Sequence, residues 1–439
     1  MKRDIYRQLL DWKASKRRKP LIVNGARQVG KTHALKHFGK HNFENTVYLN
    51  FERNEKLCTY FEGNLDPIKL INTLSIYAEI DIDPSKTLII FDEIQACPRA
   101  LNSLKYFCEE APEYHITAAG SLLGVKTAQQ GGFPVGKVNF LHLYPLSFFE
   151  FLSALGHNKL RVHLEELAHT EPLAEIIHHQ LIDILKLYFF IGGMPEAVSE
   201  YVKSENLRTV REIQLEILDA YEKDFAKHAP PNEVMKITTV FKQVHQQLAK
   251  ENKKFIFSTI KKSARGREYE TAIQWLIDAG LISKSSLVES PKLPLSAYAK
   301  HDIFKIFLLD IGLLGAQSNL SPKTVIEKDL LFTEFKGALT ENFVAQEFKL
   351  QDRQSLYYWA SNGTAELDFL LESDHAIYPL EVKAGSSKRK KSLLVYNSKY
   401  SPKITCRTSL MNLKKDGNLL NLPLYLIAKI TTFIVEASE

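Results

Sequence analysis

The stretch Leu21-Ile22-Val23-Asn24-Gly25-Ala26-Arg27-Gln28-Val29-Gly30-Lys31-Thr32 decides the fold. Its first four residues form a short apolar run, the pattern of a strand buried on both faces. Gly25 to Thr32 then fits G-x-x-x-x-G-K-[ST], and a helical pattern follows. Strand, loop and helix in that order are the context a phosphate-binding loop requires. The residue types supply the chemistry. Gly25 and Gly30 reach backbone conformations closed to other residues, so the N–H groups of Ala26, Arg27, Gln28 and Val29 can approach phosphate oxygens. The helix start adds a positive dipole end. Lys31 is expected to reach the β- and γ-phosphates of ATP, and the Thr32 hydroxyl to bind Mg²⁺.

Outward from this loop, apolar runs recur at Val47–Phe51, Leu88–Phe91, His115–Ala118 and Val138–Leu143, separated by helical patterns. Alternation of this kind predicts an α/β fold with a parallel sheet covered on both sides. The run Leu88–Phe91 ends in Asp92-Glu93. Asp92 is expected to hold the hydration shell of Mg²⁺, and Glu93 to orient or polarise an attacking water. Ser121, closing the next run, is either a γ-phosphate sensor or an ordinary turn serine. Arg99 is one option for an arginine finger and otherwise a surface residue.

The chain has 439 residues, enough for about three domains. With 45% hydrophobic and 25% charged residues it is neither disordered nor fibrous. Its net charge of +6 neither announces nucleic acid nor argues against it. No stretch approaches the ~20 apolar residues of a membrane span, since Lys305 and Asp310 interrupt the richest candidate, Ile303–Leu314. No apolar signal-peptide region follows Met1. Cys58, Cys97, Cys108 and Cys406 form no C-x-x-C pair, which excludes a disulfide framework and a zinc knuckle and suits a cytoplasmic protein. The 14 histidines form no H-E-x-x-H or H-x-H, and His178-His179 reads as structural.

From Leu181 to about Ala226 the pattern is helical, interrupted at Gly192-Gly193-Met194-Pro195, and Pro230-Pro231 marks a break. Val240, Phe241, Val244 and Leu248 give one amphipathic helix, and Tyr269, Ala272, Ile273, Leu276 and Ile277 another, stopped at Gly280. Short β-like runs around 281–288 and 303–309 follow. Two helices and a two-stranded wing are the order of a winged helix. Lys261, Lys262, Arg265 and Arg267 cluster before its third helix, suiting DNA phosphates or a protein partner. From Pro322 the order reads helix, strand, strand, helix, strand.

That last segment carries a second constellation. Asp368 lies in one strand, and Glu381 and Lys383 project to one face of the next. Two carboxylates suit a divalent metal, and a lysine can position or activate water for phosphodiester hydrolysis. Glu341 shares a helical stripe with Ala338, Ala345 and Phe348, so it faces inward and needs a metal or a lysine as partner. The metal-ligand expectation is therefore Glu341, Asp368 and Glu381. The alternative is a degenerate scaffold whose polar residues pair with each other. The basic runs Lys16–Lys19 and Lys388–Lys391 read as solvated faces, the second also as a phosphate contact.

These features resemble the AAA+ ATPases, and within them a prokaryotic switch-type family whose C-terminal domain has a poorly defined role. The match rests on GARQVGKT (25–32), LIIFDEIQ (88–95), GSLLG (120–124), FPVGKV (133–138), LYPLSFFEFL (143–152), GGMPEAV (192–198), QLAKENKKF (247–255) and LDIGLL (309–314). Gly193-Met194-Pro195 looks like that group's lid motif, which lies near the nucleotide base; a helix-separating turn is the plain alternative. The order Glu341, Asp368, Glu381-x-Lys383 resembles the PD-(D/E)XK restriction-endonuclease-like superfamily. The resemblance implies an AAA+ core over 1–180, a helical lid over 181–229, a winged helix over 230–310 and an endonuclease-like α/β domain over 311–439. It also implies ATP and Mg²⁺, with DNA or a regulatory protein as partner, no membrane, and either a homo-oligomeric ring or a monomer.

Overall fold

The computed structural model describes residues 2–121, 134–249, 254–255, 266–321, 336–351, 355–361, 365–373, 375–384 and 391–438. Lys261, Lys262, Arg265, Lys388–Lys390 and the 122–124 end of GSLLG lie outside the described residues. The chain divides into two compact units, Met1–Tyr144 with Asp278–Gly280, and Pro145–Ile277 with Leu281–Glu439.

The first unit runs α1 (Ile5–Ala14), β1 (Leu21–Asn24), α2 (Lys31–Asn42), β2 (Asn45–Asn50), α3 (Pro67–Ala78), β3 (Thr87–Asp92), α4 (Pro98–Glu110), β4 (His115–Gly120) and β5 (Asn139–His142). The five strands form one sheet in the order β2-β3-β4-β1-β5, parallel throughout. Every residue of β3 and β4 is buried, as runs apolar on both faces demand. Helix starts follow local chemistry. Asp66 caps α3 by accepting from Ile68 and Lys69 N–H, and Pro67 and Pro98 open α3 and α4 at the position where no N–H is needed. Phe51, Phe61 and Phe91 meet edge to face with centroids 5.6–5.7 Å apart at the centre of the core. Because the strands are parallel, the loops leaving β1, β3 and β4 share one edge of the sheet, where ligands bind in such folds.

The second unit opens with helices α5 (Phe148–Ala154), α6 (Asn158–Glu166), α7 (Glu175–Ile191), α8 (Pro195–Ser204), α9 (Leu207–His228), α10 (Val234–Leu248) and α11 (Gly266–Asp278). A hairpin follows, β6 (Ile282–Val288) and β7 (Ala299–Leu308), then α12 (Ile311–Gln317) and α13 (Lys336–Leu350). The remainder is β8 (Leu356–Ala360), β9 (Glu366–Ser373), β10 (Ala376–Val382), α14 (Lys391–Tyr400), β11 (Thr405–Ser409), β12 (Lys414–Asp416), β13 (Leu419–Pro423) and α15 (Ile430–Ser438). The strands make one mixed sheet, β12-β13-β11-β10-β9-β8-β6-β7. Among the described residues no helix is long and apolar enough to cross a membrane.

Two strands differ from expectation. The expected wing does not stand apart: β6 pairs with β7 on one side and in parallel with β8 on the other. Six of its seven residues are buried, so an edge position would leave apolar surface and unpaired backbone to water. The strand β8, Leu-Tyr-Tyr-Trp-Ala, adds a third strand before α14 where two were expected.

The Gly192-Gly193 turn also gains a specific partner. Gly192 has φ +72°, and a Cβ there would sit 2.2 Å from Asp310 Oδ1. A Cβ on Gly193 would meet Leu146 O at 2.2 Å. Asp310, fully buried, caps α12 by accepting from Leu313 N–H (3.0 Å) and accepts from Gly193 N–H (2.6 Å). The GGMPEAV and LDIGLL stretches therefore meet at one buried carboxylate.

Candidate functional site

At the end of β1, Leu143 N–H donates to Asn24 O (2.8 Å), drawing the backbone after β5 against the loop. A Cβ on Gly25 would lie 2.1 Å from Leu143 O, so only glycine fits. Gln28 (φ +65°) and Gly30 (φ +96°) take left-handed conformations, and Gly30 caps α2. Arg3 pins the loop from outside by donating to Val29 O (3.1 Å) and Tyr144 O (2.6 Å). Lys31, 6% exposed, folds back and donates to Gly25 O (2.8 Å) and Ala26 O (2.7 Å). Its ammonium is thereby held over the loop by neutral carbonyls, weaker acceptors than a phosphate oxygen.

Thr32, on the first turn of α2, donates to Asp92 at the end of β3, 3.0 Å from both carboxylate oxygens. Asp92 is 2% exposed and also accepts from Tyr48 Oη (2.6 Å) and Asn50 Nδ2 (3.1 Å), both on β2. Burial, and then the bond to Asp92, pushes Tyr48 up to about 12, so it remains a donor at neutral pH. The donor set suits Mg²⁺: a hydroxyl and a carboxylate, both hard oxygens, with two further groups holding the carboxylate in place. Sequence reasoning missed Tyr48 and Asn50. The available signal was their i, i+2 spacing at the polar end of an otherwise apolar strand.

Glu93 follows directly, half-buried and at φ +51°, and the Gln95 amide donates to its carboxylate. A non-glycine residue held in that region is strained, and such strain gathers at functional sites. Ser121 is one residue past the β1-paired Gly120 and two past Ala119, which pairs with Asp92. It is 1% exposed, and its hydroxyl has no hydrogen-bond partner among the described residues. Arg99 is engaged elsewhere, donating to Phe61 O (2.6 Å) and Gly63 O (2.7 Å).

The second constellation lies in the second unit. β9 and β10 pair with Leu380 opposite Phe369, and Glu381 and Asp368 are the next residues along the two strands. Asp368 Oδ2 accepts from Val382 N–H (2.7 Å), and Lys383 pairs with Glu381 (2.9 Å). Glu341, on α13, is 2% exposed. Its partner is Lys305 of β7, an ammonium with no solvent exposure, 3.6 Å from Glu341, 2.6 Å from Glu366 and 4.0 Å from Asp368. Burial pulls Lys305 down, but the carboxylates of Glu341, Glu366 and Asp368 outweigh it and hold the lysine above its ordinary value. Among the described residues no three His, Cys, Asp or Glu side chains are grouped to hold a metal ion. Lys305 thus lies within 4.0 Å of two of the three residues expected to hold a metal, Glu341 and Asp368, and supplies positive charge to both. Lys305 and Glu366 were not expected in this role. The signal for Lys305 was a lone charge inside the apolar run Ile303–Leu308.

Three family models match separate stretches of the chain. Residues 17–152 match an AAA domain, residues 182–324 a domain of unknown function (DUF8612), and residues 336–426 another (DUF4143). The first unit is thus an AAA-type P-loop nucleotide-binding core. No match is found among curated proteins. Among solved structures the chain is similar to the Walker-type ATPase PABY2304 of Pyrococcus abyssi, at 12% identity over 72% of this chain and 95% of that one, with a TM-score of 0.45. It is also similar to the ORC1 protein of Aeropyrum pernix in complex with DNA, at 12% identity over 73% and 93%, TM-score 0.31. AMPPCP-bound DnaA from Aquifex aeolicus matches at 14% identity over 62% and 85%, TM-score 0.26.

Proposed function

We propose that this chain is a Mg²⁺-dependent ATPase of the AAA+ class that acts on, or is regulated by, DNA in the cytoplasm. The observation that carries the reading is the Thr32 hydroxyl bonded to the Asp92 carboxylate beside the buried Lys31. Loop N–H groups from Ala26 to Thr32 bind the phosphates, and Lys31 exchanges its carbonyl partners for β- and γ-phosphate oxygens. Thr32 and Asp92 would hold Mg²⁺, which neutralises charge on the phosphates. Glu93 orients water and accepts its proton, and Ser121 supplies a free hydroxyl to a γ-phosphate oxygen. Nucleotide binding lost in Lys31→Ala but kept in Thr32→Ala and Glu93→Gln tests this allotment of roles; equal binding by wild type and Lys31→Ala contradicts it.

The second reading is a nucleotide-dependent switch that binds a protein partner and whose nuclease-like scaffold is inactive. Lys305 favours it, since an ammonium among Glu341, Glu366 and Asp368 already provides the cation those carboxylates need. The experiment is DNA binding and cleavage with and without ATP and Mg²⁺, in wild type and Asp368→Ala. Binding that weakens steeply with salt supports the DNA reading, because phosphate contacts release counterions. Metal-dependent cutting that disappears in Asp368→Ala overturns the inactive-scaffold reading.

A further inference from the structure

The helix that begins with the phosphate-binding Lys31 and Thr32 carries an exposed histidine face along its length. His33, His37 and His41 recur at i, i+4 and i+8 on α2, and all three are exposed. The His37 and His41 rings lie side by side, centroids 4.0 Å apart and planes 28° from parallel. His33 is farther away, 6.1 Å from His37.

The hydrogen bonds fix which nitrogens remain available. His41 Nδ1 is 2.8 Å from His37 O, and a carbonyl only accepts, so His41 Nδ1 carries the proton. Tyr6 Oη donates its single proton to His37 O (2.9 Å), so its oxygen accepts from His37 Nδ1 (2.7 Å). Both Nδ1 atoms are donors, which leaves an Nε2 lone pair on each neutral ring. Donation from one ring nitrogen to an oxygen is what orients imidazoles that ligate metals through the other. His37 is also held below the usual histidine value, by desolvation first and then by His41, His33 and Lys40.

We propose that His37 and His41 form a transition-metal site on the surface of α2, taking Zn²⁺ or Cu²⁺ through the two Nε2 atoms, with water completing the coordination. Water is required because no third ligating side chain is grouped with them among the described residues. Small rotations of two exposed rings bring both nitrogens onto one ion, at about 2.0–2.1 Å for zinc. The bound ion would clip the last turns of α2 and, through Tyr6, tie them to α1. This site is separate from Thr32 and Asp92, whose hard oxygens suit Mg²⁺ rather than a borderline-soft ion.

The test is calorimetric titration of Zn²⁺ into the full chain without any polyhistidine tag, at pH 7.5 and without nucleotide. One ion per chain is expected. His37→Gln and His41→Gln should each weaken it by about tenfold or more, and His33→Gln should leave it nearly unchanged. The Cu²⁺ form should show two nitrogen ligands by electron paramagnetic resonance, reduced to one in either variant. Glutamine on an exposed helical face preserves the fold, and Mg²⁺–ATP binding by each variant checks that. Zn²⁺ binding unchanged in both His37→Gln and His41→Gln overturns the proposal.

Discussion

At the scale of single residues, the tightest constraint is Gly25. Any side chain there must displace the backbone carbonyl of Leu143, and the φ of +152° is strained for other residues. Gly25→Ala is expected to cost about 2–4 kcal/mol of stability in chemical denaturation and to abolish nucleotide binding. Lys305 is the corresponding residue of the second unit. Lys305→Met removes the buried ammonium beside Glu341, Glu366 and Asp368, an expected loss of about 3–5 kcal/mol. A denaturant series on wild type and variant measures this.

At the scale of elements, Asp310 joins the turn after α7 to the start of α12. Burial raises it to about 6, against the opposing pull of N–H donors from Gly193, Leu313 and Gly312. A carboxyl raised above its unfolded value binds more protons when folded. Its contribution is complete below about pH 4 and is lost as pH rises through about 6. Wild type should therefore lose about 3 kcal/mol more than Asp310→Asn between pH 4 and pH 7, read as the difference between their stability profiles. Element patterns were legible where burial has a simple period. All five strands of the first sheet coincide with apolar runs, and α10 and α11 with amphipathic stripes. The partner of β6 was not legible, because an apolar run shows that a strand needs neighbours without showing which strand supplies them. Helix α13 was hardest. Thr340, Glu341, Asn342, Gln346 and Glu347 are all buried there, satisfied by distant groups such as the Leu308 backbone for Asn342 and Tyr188 for Gln346. Glu341 was legible as inward-facing from its apolar stripe, but its polar neighbours read as a solvated face until their partners are known.

At the scale of the whole molecule, the phosphate loop, Asp92, Glu93 and Ser121 were readable because strand order brings the ends of β1, β3 and β4 to one edge. Tyr48 and Asn50 join them only through the β2–β3 register, which composition does not reveal. DNA binding through phosphate contacts has a sharp signature: affinity for a duplex should fall steeply between about 50 and 200 mM salt, and a flat response would favour a protein partner. The activity proposed for the first unit is ATP hydrolysis with Lys31 and Glu93. Its most direct test is steady-state ATP turnover with Mg²⁺ by wild type, Lys31→Ala and Glu93→Gln. Turnover in wild type, none in Lys31→Ala, and a rate lower by about a hundredfold or more in Glu93→Gln with ATP still bound is the predicted result. Equal turnover by all three proteins would contradict it.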